Sequence, residues 1–170
     1  LWQKTLSQLP KGSRSEKLAI IEPSAQSRDQ YHFEKLAKEQ THIIYGMRGL
    51  ALDSPQRYTL QALEAVLSGQ GGRLFLELRD KASLAYSVSP LRMEGLGTGY
   101  FATYIGCSPE KTETALRMMK EELEKLKTTK ISKEELLRAQ NYLIGGHDIG
   151  LQKNSAIASS IAFNEIYGIS

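Results

Sequence analysis

Apolar residues fall into short blocks as far as residue 50 and into helix-spaced stripes beyond it, with two alternating segments between. Leu1 to Leu9 has the pattern of a helix tail, which Pro10-Lys11-Gly12-Ser13 interrupts with turn residues and no apolar anchor. Residues 1–15 therefore read as a helix tail and linker, and residues 16–170 as the domain. Lys17 to Glu22, containing Leu18-Ala19-Ile20-Ile21, predicts a strand, Pro23 to Arg28 a polar loop, and Asp29 to Lys38, with Tyr31 and Phe33, an ambiguous strand. Gln40 to Leu50 predicts a buried strand, since Ile43, Ile44, Tyr45 and Met47 form a short apolar run that Gly49 ends.

Ser54 as N-cap and Pro55 at the first helical position open a helix whose apolar side carries Leu60, Leu63, Val66 and Leu67. Gly69-Gln70-Gly71-Gly72 stops it. Leu74 to Leu78 reads as helix again, and Leu84 to Val88 begins an alternating segment in which Tyr86 and Val88 share a face. Leu84 to Met93 and Tyr100 to Cys107 predict a hairpin joined by Gly95-Leu96-Gly97-Thr98-Gly99, whose glycines supply positive φ. Ser108-Pro109 caps a long amphipathic helix with Leu116, Met119, Leu123 and Leu126 in one stripe. Ser132 and Glu135 form a capping box for a helix through Leu136, Leu137, Leu143 and Ile144, which Gly145-Gly146 and Gly150 weaken or break before a last helix from about Lys153 to Tyr167. Strands first and helices later, around a hairpin, predict an α+β fold: a largely antiparallel sheet with helices packed on one face.

Composition changes this picture mainly by exclusion. The 170 residues suit one domain, and 22 basic against 19 acidic residues leave no concentrated basic stripe for nucleic acid. Tyr100, Phe101 and Tyr104 are accordingly assigned to core packing, as are Met118 and Met119, while Lys125, Lys127 and Lys130 read as a solvated helix end. The single Cys107 excludes an internal disulfide and leaves the compartment open. No apolar run approaches the length of a membrane span. The first residue is Leu1 and not Met, which fits a fragment or a processed product.

The candidate chemistry lies in Gly71 to Val88, GGRLFLELRDKASLAYSV, which sets Arg79 and Tyr86 seven positions apart across a helix-to-strand junction. By themselves these residues read as a surface cation beside Glu77 or Asp80 and a half-buried strand aromatic. The wording resembles the carboxy-terminal half of the insulinase/pitrilysin zinc metallopeptidases, with Gly71-Gly72 where Ser-Ser is common, Asp80 where Glu is common and Ser83 where Gly is common. The resemblance extends to Gln40–Leu50, to Pro109-Glu110-Lys111, and to Glu134-Glu135-Leu136-Leu137-Arg138-Ala139-Gln140. It implies the LuxS/processing-peptidase-like fold. It also implies that Arg79 and Tyr86 reach across a cleft towards a peptide and a zinc ion held by a homologous half, on the same polypeptide or on a separate subunit.

The family's zinc motif is an inverted H-x-x-E-H helix with a distant Glu. His32, His42 and His147 do not pair at four-residue spacing, so no metal ligand is expected in this chain and zinc is expected in the partner half. Two readings remain open. Either the chain is a non-catalytic half-site domain that assists peptide hydrolysis, inactive in isolation, or it is a structural or peptide-binding subunit of the same fold.

Overall fold

Strands β1 (Thr41–Arg48), β2 (Ala85–Met93) and β3 (Tyr100–Cys107) form an antiparallel sheet in the order β1-β3-β2, in a computed structural model that describes residues 2–10, 12, 20, 24 and 28–169. Most of the predicted strand Lys17–Glu22 and of the loop Pro23–Arg28 lies outside the described residues. Short helix α1 spans Trp2–Leu6. Helices α2 (Arg57–Leu67), α3 (Thr112–Thr128), α4 (Lys133–Gly150) and α5 (Asn154–Tyr167) complete the regular elements, with a π-helix at Phe75–Lys81 and a 3-10 turn at Pro109–Lys111.

Alternation along β3 decides where the core lies. Phe101, Ile105 and Cys107 point to one side, joined there by Ile43 and Tyr45 from β1 and by Ala85 and Val88 from β2. Leu67 of α2, Leu74 and Leu78 around the π-helix, and Ala115, Met119 and Leu123 of α3 close over that side, all buried. The α+β expectation of helices on one face of an antiparallel sheet is therefore met. A smaller cluster, Ala65 and Val66 of α2 with Ala139 of α4, joins these two helices.

Polar contacts fasten the same elements. Arg73 pairs with Glu135 at 2.5 and 2.9 Å, and Glu135 also closes the predicted capping box with Ser132. Arg138, one turn further along α4, donates to the Val66 carbonyl at 2.8 Å, satisfying an orphan acceptor at the end of α2. Arg92 of β2 bonds Glu64 of α2 at 2.8 Å and also Glu94. These pairs explain structurally why arginine and glutamate stand at these positions.

Several sequence expectations need correction. Asp29 to Lys38 forms no strand, and Tyr31 and Phe33 are exposed. β1 is an edge strand, with β3 its single partner among the described residues, and is only half-buried: Ile43 and Tyr45 pack against the core, Ile44 on the opposite face is exposed, and so is Met47 near the strand end. α2 starts at Arg57 behind Gln56, since Ser54 and Pro55 belong to a preceding turn closed by the Arg57 N–H on the Ser54 carbonyl. Leu74–Leu78 lies in a stretch wound mainly as π-helix. Pro109 opens a 3-10 turn, and α3 follows from Thr112. α4 runs unbroken through Gly145-Gly146, since glycine lowers helix propensity by only about 1 kcal/mol per residue and does not by itself end a helix. Gly95 and Gly99 have no positive φ: a Cβ on Gly99 would fall 1.9 Å from the Met93 carbonyl oxygen, so close backbone approach is what requires glycine. Tyr104 sits on the sheet face opposite the core and not within it.

Candidate functional site

Arg79 and Tyr86 flank a junction made of three consecutive backbone irregularities. The first is the π-helix, in which the Ala82 N–H bonds the Glu77 carbonyl at 3.2 Å, one residue beyond the α-helical partner. Leu74 and Leu78 are fully buried and anchor this wide turn, leaving Arg79 on its outer side. The second is Ser83, whose φ of 50° is left-handed. That conformation turns the chain so that the Leu84 N–H reaches back to the Leu78 carbonyl at 2.9 Å. Lys111 then holds the corner from outside by donating to the Ser83 carbonyl at 2.9 Å, which gives the Pro109-Glu110-Lys111 motif a concrete task.

The third irregularity is a β-bulge. Ala85 lies opposite Cys107 and Ser87 opposite Gly106, so Tyr86 is the extra residue between two paired ones. Ala85 and Val88 consequently both face the core although they are three positions apart, a parity that a regular strand forbids. This corrects the expectation that Tyr86 and Val88 share a face. Val88 packs inward, whereas Tyr86 is 60 % exposed.

Arg79 is exposed as well, with its guanidinium 5.1 Å from the centre of the Phe75 ring. Glu77 is engaged by Lys81 at 2.6 Å, and among the described residues no carboxylate pairs with Arg79. No hydrogen bond joins Arg79 to Tyr86. The folded chain thus presents a cationic donor fork and a phenol hydroxyl, separately positioned by one rigid corner and both accessible.

Left-handed backbone disfavours a residue with a Cβ by roughly 1–2 kcal/mol, partly offset by the greater unfolded-state freedom of glycine. Ser83→Gly is accordingly expected to raise stability by about 0.5–1 kcal/mol, read as a higher urea midpoint at unchanged slope. An unchanged or lower midpoint would show that the corner carries no such strain.

The histidines do not assemble a metal centre. His32 lies in the irregular segment before β1, His42 on β1 bonds Tyr104, and His147 is near the end of α4. Among the described residues no group of three or more His, Cys, Asp or Glu side chains is placed to hold a metal ion. Cys107 is buried, and that burial pushes its thiol pKa up, away from the thiolate a metal would need. The described residues therefore do not assemble a zinc site, and among them no helix is long and apolar enough to cross a membrane.

Comparison with known proteins agrees with this architecture. Residues 1–143 match the family described as peptidase M16 inactive domain. An uncharacterized zinc protease of Streptomyces coelicolor is 33% identical over 129 residues, covering 75% of this chain and 28% of that protein. The crystal structure of a protease from Helicobacter pylori superposes with a TM-score of 0.73 at 24% identity, over 79% of this chain and 33% of that one. The peptidase M16 inactive domain from Pseudomonas fluorescens gives 0.72 at 21%, over 78% of this chain and 32% of that one. The chain spans about a third or less of the length of these relatives.

Proposed function

Since the chain belongs to the insulinase-like M16 peptidase family, as one of its inactive domains, we propose that it is the half-site domain of a zinc metalloendopeptidase and lends Arg79 and Tyr86 to a peptide held against a zinc-bearing half. That half is a homologous unit on the same polypeptide or on a separate subunit. In this reading residues 16–170 are the domain proper, and residues 1–15 are a helix tail and linker.

The observation that carries the reading is the concentration of the π-helix, the left-handed Ser83 and the Tyr86 bulge within residues 75–87. Irregular backbone is costly and collects at functional sites. Here its consequence is an Arg and a Tyr aimed outward from a corner that Lys111 and the core leucines hold fixed. Neither residue can activate water. A phenol hydroxyl can donate to the negative charge that develops on the former carbonyl oxygen, which strengthens the bond in the transition state relative to the ground state. A guanidinium can hold a substrate carbonyl with two fixed donors. Metal binding and water activation belong to the other half.

The chain alone is expected to bind no stoichiometric zinc and to cleave no peptide. Metal analysis after gel filtration, coupled to a fluorogenic-peptide assay, checks this. Mixing with the zinc-bearing half should create chelator-sensitive turnover. Turnover by the chain alone at constant specific activity through purification would refute the half-site assignment, and a well-formed but inactive pair would favour a structural or peptide-binding subunit.

A further inference from the structure

Three polar side chains meet on the open face of the sheet, beside the Tyr86 bulge. His42 of β1 and Ser87 of β2 both lie opposite Gly106 of β3, so the three strands place them on either side of a residue without a side chain. Tyr104, two positions before Gly106 on the same strand, shares this face. Its hydroxyl is 2.8 Å from His42 Nδ1, with the rings nearly parallel at 15° and their centres 5.9 Å apart. Glycine is what leaves room for this arrangement. A Cβ at position 106 would come within 3.1 Å of the Tyr104 hydroxyl, 3.2 Å of Ser87 Oγ and 3.6 Å of His42 Nδ1.

We propose that this cluster, His42, Tyr104 and Ser87 closing over Gly106, is a subsite for the backbone of an extended peptide next to Tyr86. The chemistry favours that class of ligand. The Tyr104 contact occupies Nδ1 and fixes the imidazole, and whichever tautomer is present, Nε2 remains a polar atom that no described residue uses. Ser87 Oγ can both donate and accept. A peptide backbone offers both a donor and an acceptor, so it can satisfy the pair, and the flanking exposed Ile44 and Tyr86 supply apolar surface for its side chains. His42 therefore binds, and Tyr104 positions His42.

The subsite rests on the half-site reading, and two chemically distinct histidine substitutions separate binding from mere support. Asparagine places a polar atom near the position of Nδ1 and can retain the Tyr104 contact while losing Nε2; glutamine extends towards Nε2. With the zinc-bearing half assembled, His42→Asn is expected to weaken binding of a short fluorescein-labelled peptide about 3- to 10-fold by anisotropy, the size of one hydrogen bond, with kcat nearly unchanged. His42→Gln should recover part of the loss. Gly106→Ala, whose Cβ would press on the Tyr104 hydroxyl and Ser87 Oγ and displace them, should weaken the same peptide with native circular dichroism. These shifts would support the subsite even if Tyr86→Phe left turnover untouched and so removed the catalytic role. Wild-type peptide affinity in both His42→Asn and Gly106→Ala, or no binding of the peptide to the wild-type assembly, would overturn the subsite whatever Tyr86→Phe does.

Discussion

Tyr86→Phe in the assembled enzyme is expected to lower kcat about 100- to 1,000-fold while KM stays close to wild type. The substitution removes one hydroxyl from a residue that projects from a bulge and is 60 % exposed, so little packing is lost and the fold should be intact. What disappears is a donor to charge that exists only in the transition state, and such a loss appears in kcat. Arg79→Ala should damage KM and kcat together, because the fork that holds a carbonyl and the stacking on Phe75 vanish at once. Arg79→Lys restores charge without the fork and should recover only part. If the two residues act on one substrate group, the double mutant should resemble the worse single mutant. Steady-state kinetics of the four variants decide this, and wild-type kcat from a folded Tyr86→Phe protein would return both residues to a strand aromatic and a surface cation.

Glu135→Ala is expected to cost about 2–3 kcal/mol of stability. Its carboxylate accepts two bonds from Arg73 and one from the Ser132 backbone N–H. Removing it opens a partly buried ion pair and a helix cap together. Those contacts, with the Arg73 hydrogen bond foremost, lower the carboxyl pKa from the ordinary 4.5 to about 2. A carboxylate with a depressed pKa in the folded state binds protons more readily when unfolded, so its contribution is fully present above about pH 4.5 and is lost as the pH falls towards about 2. Urea unfolding of wild type and Glu135→Ala at pH 7 and pH 3 tests both statements: the gap between them should narrow at the lower pH. A gap below about 0.5 kcal/mol at pH 7, within the range of ordinary surface changes, would show that the contacts are not coupled to folding.

Local chemistry made much of the fold legible. The capping box at Ser132 and Glu135 needs residues only three apart, and the helix stripe through Leu116, Met119, Leu123 and Leu126 needs only one face of one helix, so both were readable from spacing. The hairpin from Leu84 to Cys107 was readable for the same reason. Boundaries set by competing turns were not. Ser54-Pro55 has the composition of a helix start, yet the chain closes a separate turn there before α2 begins.

The candidate pair shows where sequence reading ends. The order of residues between Gly71 and Val88, with the family resemblance, was enough to single out Arg79 and Tyr86 and to exclude a paired-histidine metal motif from this chain. Their presentation depended on contacts that the order of residues does not encode locally. A π-turn anchored by Leu74 and Leu78 against α3 and β3, and a Lys111 bond to the Ser83 carbonyl, fix the corner from distant parts of the chain. The bulge exists because β2 must bring both Ala85 and Val88 onto the core, and that demand inverts the strand parity read from alternation alone. The His42–Tyr104–Ser87 cluster lay wholly beyond the sequence, since its members come from three strands and meet only through the register around Gly106. Composition and periodicity determined most of the helices and strands among the described residues, because those preferences act over a few residues; which side chains face outward together was decided by long-range packing, because one burial demand on a strand shifts the face of every residue beyond it.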